Sequence, residues 1–242
     1  MDSSLFTLNL KAMIVDSMTD DEVYQELARD RESLTAWWHH KLEAQRRRVV
    51  KCSQFPMKLW FDHVTPRKNR YLIFTRIFNR KMRGVLTGMA VVRLTKDGIS
   101  VYTTWITGQQ LISPMVITPH AFRRYAERMN VQKKGIELIR HYFEHNAHGS
   151  DSYNQRVHGR SVRWNGEDHR ASCIEEGVLL GQMHNGIFIV RTFITYEMCG
   201  EIQQDEFGTH RELILTDREM FERARDYYAG LDKNEWHDFA LK

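Results

Sequence analysis

The chain has 242 residues, of which 42% are hydrophobic and 27% are charged, and its formal net charge is +4. This composition supports a real core and is ordinary for a soluble protein, and no apolar run reaches the roughly 18 residues that would span a bilayer. Three cysteines, far apart and odd in number, exclude a disulfide framework and the spacing of a zinc site.

The N-terminal stretch MDSSLFTLNLKAMIVDSM has no positive cluster before its apolar residues and no clear cleavage site of small residues. A secretory signal needs both features. We therefore expect a mature cytoplasmic protein that does not associate with a membrane.

The first predicted helix begins after Thr19, where Thr19 and Glu22 have the spacing of a capping box. Apolar residues then recur at roughly helical intervals from Val23 to Leu42, so the helix is predicted to continue to about Val50. Three arginines, at 46–48, lie near its end, where the helix dipole favours cations.

A basic segment follows this helix. Between Arg46 and Arg83 there are 12 Lys or Arg residues and one acidic residue, Asp62. Aromatic residues interleave with these cations, which is typical of a nucleic-acid surface, but strands with an aromatic core face and a basic wet face produce the same alternation. The candidate nucleic-acid-binding residues are Arg46, Arg47, Arg67, Lys68, Arg70, Arg80 and Lys81.

Strand patterns begin at Arg70 with YLIFTRIF. The stretches VLTGMAVVRLT and ISVYTTWIT flank Asp97-Gly98, a dipeptide that tolerates the positive φ of a tight hairpin turn. A second hairpin is predicted in ASCIEEGVLLGQMHNGIFIVRTFITYEM, with its turn at Asn185-Gly186.

Helical stretches separate and follow these hairpins. KKGIELIRHYFEHN and the final TDREMFERARDYYAG are predicted helices, and the polar, His-rich residues 148–170 are predicted to form a loop with one short strand. The sequence therefore predicts an α+β fold, with helices packed on an antiparallel sheet built from hairpins and an N-terminal helical segment.

The stretch ITPHAFRRYAER, residues 117–128, concentrates charged groups on one helix. Thr118 suits the N-cap and Pro119 the first helical position. Phe122, Tyr125, Ala126 and Met129 form an apolar stripe, which leaves the polar residues on the other side. These polar residues are His120, Arg123, Arg124, Glu127 and Arg128. The positive end of the helix dipole favours a neutral imidazole in the first turn, although an ordinary solvated surface helix has the same pattern.

The pattern H-A-x-x-R-x-x-E-R after an extended segment resembles the barnase/EndoU/colicin/RelE-like nuclease group of bacterial and toxin-type domains. A late strand of these domains resembles IFIVRTFITYEM, and the resemblance covers residues 117–198, about a third of the chain. It implies site roles for His120, Arg124, Glu127, Arg128 and Thr192. Arg191 and Tyr196 are added because the strand would carry them to the same region.

The resemblance implies a nuclease-like α+β domain at residues 113–242, after an N-terminal unit at 1–112 that contains the first helix and the basic β segment. One continuous domain is the alternative. The boundary is expected near residues 109–114. The large N-terminal part and the 148–170 insert depart from the compact toxins, and similarity of fold does not settle activity.

The chemistry that follows is metal-independent cleavage of RNA phosphodiesters. A base takes the 2′-hydroxyl proton, cations stabilise the phosphorane and an acid protonates the leaving oxygen. His120 suits the base, and Arg124 and Arg128 suit the phosphate. Candidates for the acid are His158, His169, His184, Tyr196 and His210.

No metal or other cofactor is expected, because the sequence contains no H-E-x-x-H, no C-x-x-C and no paired Asp motif. His141, His145 and His148 have the spacing of a metal-binding face, but that spacing is more typical of an exposed helix end. Two alternatives to a ribonuclease stay open. One is a non-catalytic nucleic-acid-binding or regulatory module, and the other is a protein-interaction module with a protein partner such as an antitoxin.

Overall fold

The structure, a computed structural model, describes residues 14–77, 79–81, 85–107, 110–146, 169–200, 204, 207–212 and 214–215. The predicted final helix at 216–230 lies outside these ranges, as do residues 148–168 of the predicted loop. Residues 169–170 of that loop belong to a strand.

Two helices precede the sheet. The helices are α1 (Asp20–Ala44) and α2 (Arg46–Lys51). The capping box at the start of α1 is present, since the Thr19 side chain accepts from the Glu22 N–H and the Glu22 carboxylate accepts from the Thr19 N–H. The prediction of helix from Thr19 to about Val50 is therefore confirmed, with a break at Gln45.

One sheet of eight strands runs through the described part of the chain. Its strands are β1 (Met57–Val64), β2 (Arg70–Ile77), β3 (Val85–Thr95), β4 (Gly98–Thr107), β5 (Gln110–Ile117), β6 (His169–Ile174), β7 (Gly177–His184) and β8 (Ile187–Ile194). Two further helices, α3 (Pro119–Arg128) and α4 (Gly135–His145), connect β5 to the last three strands.

The strand order is β1-β2-β3-β4-β5-β8-β7-β6, and every neighbouring pair is antiparallel except β5 and β8. The parallel pair joins residues 115–117 to 188–190. The expected domain boundary near 109–114 falls within β5, so both parts of the chain contribute strands to one sheet.

Helices cover both faces of the sheet, which explains why β2 is apolar along most of its length. Alternate side chains of β2 point to opposite faces. Tyr71 and Ile73 pack in one cluster with residues of α1, and Leu72 and Phe74 pack in another with residues of α3 and α4. Helices on a mostly antiparallel sheet confirm the predicted α+β class.

Both predicted hairpin turns are confirmed. Gly98 has φ +131°, and Asn185 and Gly186 have φ +49° and +80°, so each turn uses backbone conformations that most L residues avoid. In the described part of the chain, none of the helices combines the length and the apolar character needed to cross a bilayer.

Candidate nucleic-acid interface

The start of α3 is fixed against β8 by its N-cap. The Thr118 hydroxyl accepts from the Ala121 N–H at 3.3 Å and donates to the Val190 carbonyl at 2.8 Å, and Pro119 occupies the first turn. The predicted apolar stripe is confirmed, since Phe122 and Tyr125 are buried. The other face of α3 is thereby turned away from the core.

His120 and Arg124 lie on this outer face, one turn apart. The His120 side chain is exposed and makes no hydrogen bond or ring contact with another described residue. Arg124 pairs with Glu127 at 2.9 Å, and both side chains are close to half-exposed. Such a pair contributes little to stability, so His120, Arg124 and Glu127 form an accessible polar face.

Arg128 has a structural partner. Its guanidinium donates to the Phe193 carbonyl. The pairing of β5 with β8 ends at Ile117 and Val190, so β5 does not reach Phe193. The Arg128 side chain therefore provides a hydrogen-bond donor for a backbone carbonyl that has no neighbouring strand on that side. The sequence pattern did not indicate this role.

A bulge in β8 separates Thr192 from α3. The pairing with β7 shifts between Leu180 and Gly181, so that Arg191 is the extra residue. Phe193 packs against Tyr125 of α3, with ring centroids 5.2 Å apart. Because neighbours on a strand point to opposite faces, Thr192 is directed away from α3.

Tyr196 also lies apart from α3. Its hydroxyl donates to the Ile174 carbonyl at 2.7 Å, and the Arg211 guanidinium lies 4.7 Å from its ring centroid. Burial raises the pKa of Tyr196 well above the ordinary value for tyrosine, which disfavours proton release near neutral pH. The structure brings Arg124 and Glu127 together but does not gather His120, Thr192 and Tyr196 at one point.

A network that the sequence did not indicate ties α3 and α4 to the turn between β6 and β7. The Glu176 carboxylate accepts from the Tyr125 hydroxyl at 2.6 Å and from the Asn146 amide at 2.8 Å, and the Glu176 N–H donates to Asn146 at 3.1 Å. Glu176 is 51 residues from Tyr125 in the chain, and no local pattern signals so distant a pair.

Two of the predicted nucleic-acid-binding arginines form ion pairs with carboxylates of the same fold. Arg67 makes a bidentate contact with Glu26 of α1, in which its Nε donates to Oε2 at 2.9 Å and its Nη2 donates to Oε1 at 2.9 Å and to Oε2 at 2.6 Å. Burial acts to raise the pKa of Glu26, but the hydrogen bonds and charges of Arg67 and Arg29 outweigh it and lower that pKa. Arg70 pairs with Asp62 on the adjacent strand.

The turn between β1 and β2 is anchored by a buried carboxylate. Asp30 is fully buried, and its Oδ2 accepts from Thr65 at 3.0 Å, from Asn69 at 2.7 Å and from Tyr71 at 3.1 Å. Lys68 lies at this turn with φ +69° and is exposed. The network holds the turn against α1 and leaves the Lys68 side chain in solvent.

The remaining predicted cations lie around α2. Arg46 pairs with Glu43 at 3.0 Å in solvent, Arg80 donates to the Cys52 carbonyl at 3.2 Å, and Lys81 is exposed. The Arg47 side chain is exposed and makes no ion pair or hydrogen bond with another described residue.

An open hollow of about 560 Å³ lies beside α2. It is lined by Arg47, Arg48, Lys51, Cys52 and Met57. Within the described ranges, no carboxylate lines the hollow and none pairs with its three cations. Arg48 and Lys51 are not among the predicted nucleic-acid-binding residues, although their i, i+3 spacing on a short helix groups them.

More cations lie on the opposite face of β1. Lys58 is exposed there, and the Arg140 guanidinium of α4 lies 5.5 Å from the Trp60 ring centroid. The Trp60 ring in turn stacks on Phe74, with centroids 6.2 Å apart. The β1 edge of the sheet therefore carries positive charge on both of its faces.

No family model matches this chain, and comparison with characterised proteins and with solved structures gave no match either. The site must therefore be judged by its own geometry. Among the residues that the structure describes, no group of three or more His, Cys, Asp or Glu side chains is placed to hold a metal ion.

Proposed function

We propose that the protein binds single-stranded nucleic acid through the α2 hollow without cleaving it, and that RNA is the expected ligand. The observation that carries this proposal is the grouping of Arg47, Arg48 and Lys51 around one open hollow, with no carboxylate among its described lining residues. Cations placed in this way attract a phosphate backbone and release its counterions on binding.

The size of α2 favours contacts with phosphates over reading of bases. The helix has six residues, so it is about 9 Å long. Val49 is its one buried residue. Phosphate contacts position a nucleic acid without specifying its sequence. Binding is therefore expected to be independent of sequence and steeply dependent on salt.

Charge reversal tests this proposal. R47E/R48E/K51E is expected to weaken binding of a labelled single-stranded RNA by about tenfold or more, since it replaces three attractive groups with repulsive ones. Fluorescence anisotropy gives the affinity, and DNA of the same sequence shows whether the sugar matters.

The matched control is K96E/K133E/K134E, which makes the same change in net charge at exposed positions beside α3 and α4. It is expected to bind RNA within about twofold of the wild type at physiological salt, because none of its lysines lines the α2 hollow. Lys96 follows the end of β3 that lies opposite to the end in register with Met57 of the hollow, and salt screens charges at such a separation. Equal losses in both variants, or no loss in the first, would contradict the assignment.

A ribonuclease is the second candidate function. It is favoured by the hydrogen bonds of Thr118 to Val190, which set the start of α3 beside the bulge at Arg191. His120 and Arg191 are both exposed at this end of the sheet, and Arg124 follows one turn after His120. A base and two cations could there act on one phosphodiester.

This second region is distinct from the α2 hollow. Five strand spacings separate β1 from β8, which corresponds to about 24 Å. Incubation of RNA with the protein in a chelator, followed by analysis of the 3′ ends, tests for catalysis. Cyclic phosphate products that disappear in His120→Ala would support a ribonuclease, whereas intact RNA or cleavage unchanged by that substitution would exclude it.

A further inference from the structure

A long groove lies between α3 and α4, on a part of the surface that the proposed nucleic-acid site does not use. Its volume is about 950 Å³, near the upper end of the range for ligand pockets. The turn between β3 and β4, at residues 94–99, and the loop at 130–134 contribute to its lining.

The floor of the groove is apolar and follows helical spacing. Pro119, Phe122 and Ala126 contribute from α3 at i, i+3 and i+7. Leu138 and Ile139 contribute from α4. The ten residues of α3 run about 15 Å along the groove, which is the length of nearly three helical turns.

The rim of the groove is basic. Four exposed cations, Lys96, Arg123, Lys133 and Lys134, line it, and none of their side chains makes an ion pair or hydrogen bond with another described residue. Two carboxylates, Asp97 and Glu127, also line the groove, and Glu127 pairs with Arg124, so cations outnumber carboxylates among the described lining residues.

We propose that this groove binds an acidic amphipathic helix of a partner protein. A helix with apolar residues at i, i+3 or i+4 and i+7 would lie on the apolar floor. Asp and Glu residues on the flanks of that helix would face the four cations, and this charge complementarity would favour acidic over basic partners. The inference rests on the groove alone and does not depend on nucleic-acid binding.

Nucleic acid fits this groove less well than a peptide. A phosphate backbone is bound by cations and gains little from an apolar floor, and the floor residue Phe122, which is 4% exposed, adds no free ring face on which a base could stack. The other named floor residues are aliphatic or proline. Apolar side chains of a partner helix would gain most from such a floor.

Selection from a displayed library of random peptides of about 16 residues, roughly four helical turns, tests the proposal on the full chain. The selected peptides are expected to share helically spaced apolar residues with Asp or Glu between them. Their binding is expected to weaken about tenfold or more in K96E/K133E/K134E. Ala126→Trp, which fills the floor, is expected to weaken the same peptides while circular dichroism shows an intact fold.

R47E/R48E/K51E is the control, and it is expected to bind the peptides as the wild type does. Loss of RNA binding in that variant with retained peptide binding separates the two proposals. Selected peptides without acidic residues would overturn this inference, as would peptides whose binding survives both groove variants. Retained peptide binding in the groove variants with loss of RNA would instead make the groove a nucleic-acid site.

Discussion

Arg67 and Lys68 are neighbours in the chain, yet the fold uses them differently. Arg67 pairs with Glu26, whose side chain is 5% exposed, while Lys68 extends from the turn into solvent. The sequence grouped both as cations of a basic block, because a pattern of charges does not reveal which of them meets a carboxylate 41 residues away.

Arg67→Ala is expected to destabilise the protein by about 2 kcal/mol. Loss of a partner from a fully buried ion pair costs about 3–5 kcal/mol, and the partial exposure of Arg67 reduces that cost. Urea denaturation measures the free energy of unfolding. Lys68→Ala is the control and should change it by no more than about 0.5 kcal/mol; equal effects of the two substitutions would argue against the structural role of Arg67.

His63 gives the protein a pH dependence of stability. Its ring stacks on Trp37 of α1 with centroids 3.9 Å apart. Burial lowers the pKa of His63 below 6.5, assisted by Lys41 and opposed by Asp30 and Asp62. A neutral ring is therefore favoured in the folded state. The contribution of His63 to the free energy of unfolding is complete above pH 6.5, and it is lost as the pH falls below 6.5 and through the lowered pKa of the folded state.

His63→Gln is expected to reduce the loss of stability between about pH 7.5 and pH 5.5, above the range in which most carboxylates titrate. Thermal or urea unfolding at several pH values measures the difference from the wild type. A pH profile identical to that of the wild type would show that the His63 pKa is the same in the folded and unfolded states.

At the scale of elements, local signals predicted where helices and turns begin. Thr19, Thr118-Pro119, Asp97-Gly98 and Asn185-Gly186 each act through their own backbone conformation or a bond within a few residues. The parallel pairing of β5 with β8 joins positions 73 residues apart and has no local signal. The bulge at Arg191 likewise could not be predicted, and it decides which way Thr192 points.

Thr118→Ala tests how firmly α3 is held on β8. The substitution removes both the N-cap bond to Ala121 and the bond to the Val190 carbonyl. A cap contributes about 1 kcal/mol and a further hydrogen bond about as much, so a loss of about 2 kcal/mol is expected in urea denaturation. Thr118→Ser keeps the hydroxyl and should retain most of the stability; a loss as large as that of Thr118→Ala would mean that the methyl group matters more than the bonds.

At the scale of the whole molecule, the sheet carries two charged surfaces at separate places. The α2 hollow lies beside β1 at one end of the strand order, and the groove lies between α3 and α4. Composition revealed the basic block but not its division into Arg67 and Arg70, which serve the fold, and Arg47, Arg48 and Lys51, which face the hollow. That division depends on which residues the tertiary structure brings together.

The salt dependence of RNA binding tests the central claim most directly. Each phosphate contact contributes about 0.7 to the slope of log K against log salt for single strands, so R47E/R48E/K51E should reduce the magnitude of that slope by about 2. K96E/K133E/K134E should leave the slope unchanged. Equal slopes for the wild type and R47E/R48E/K51E would show that RNA does not bind at the α2 hollow.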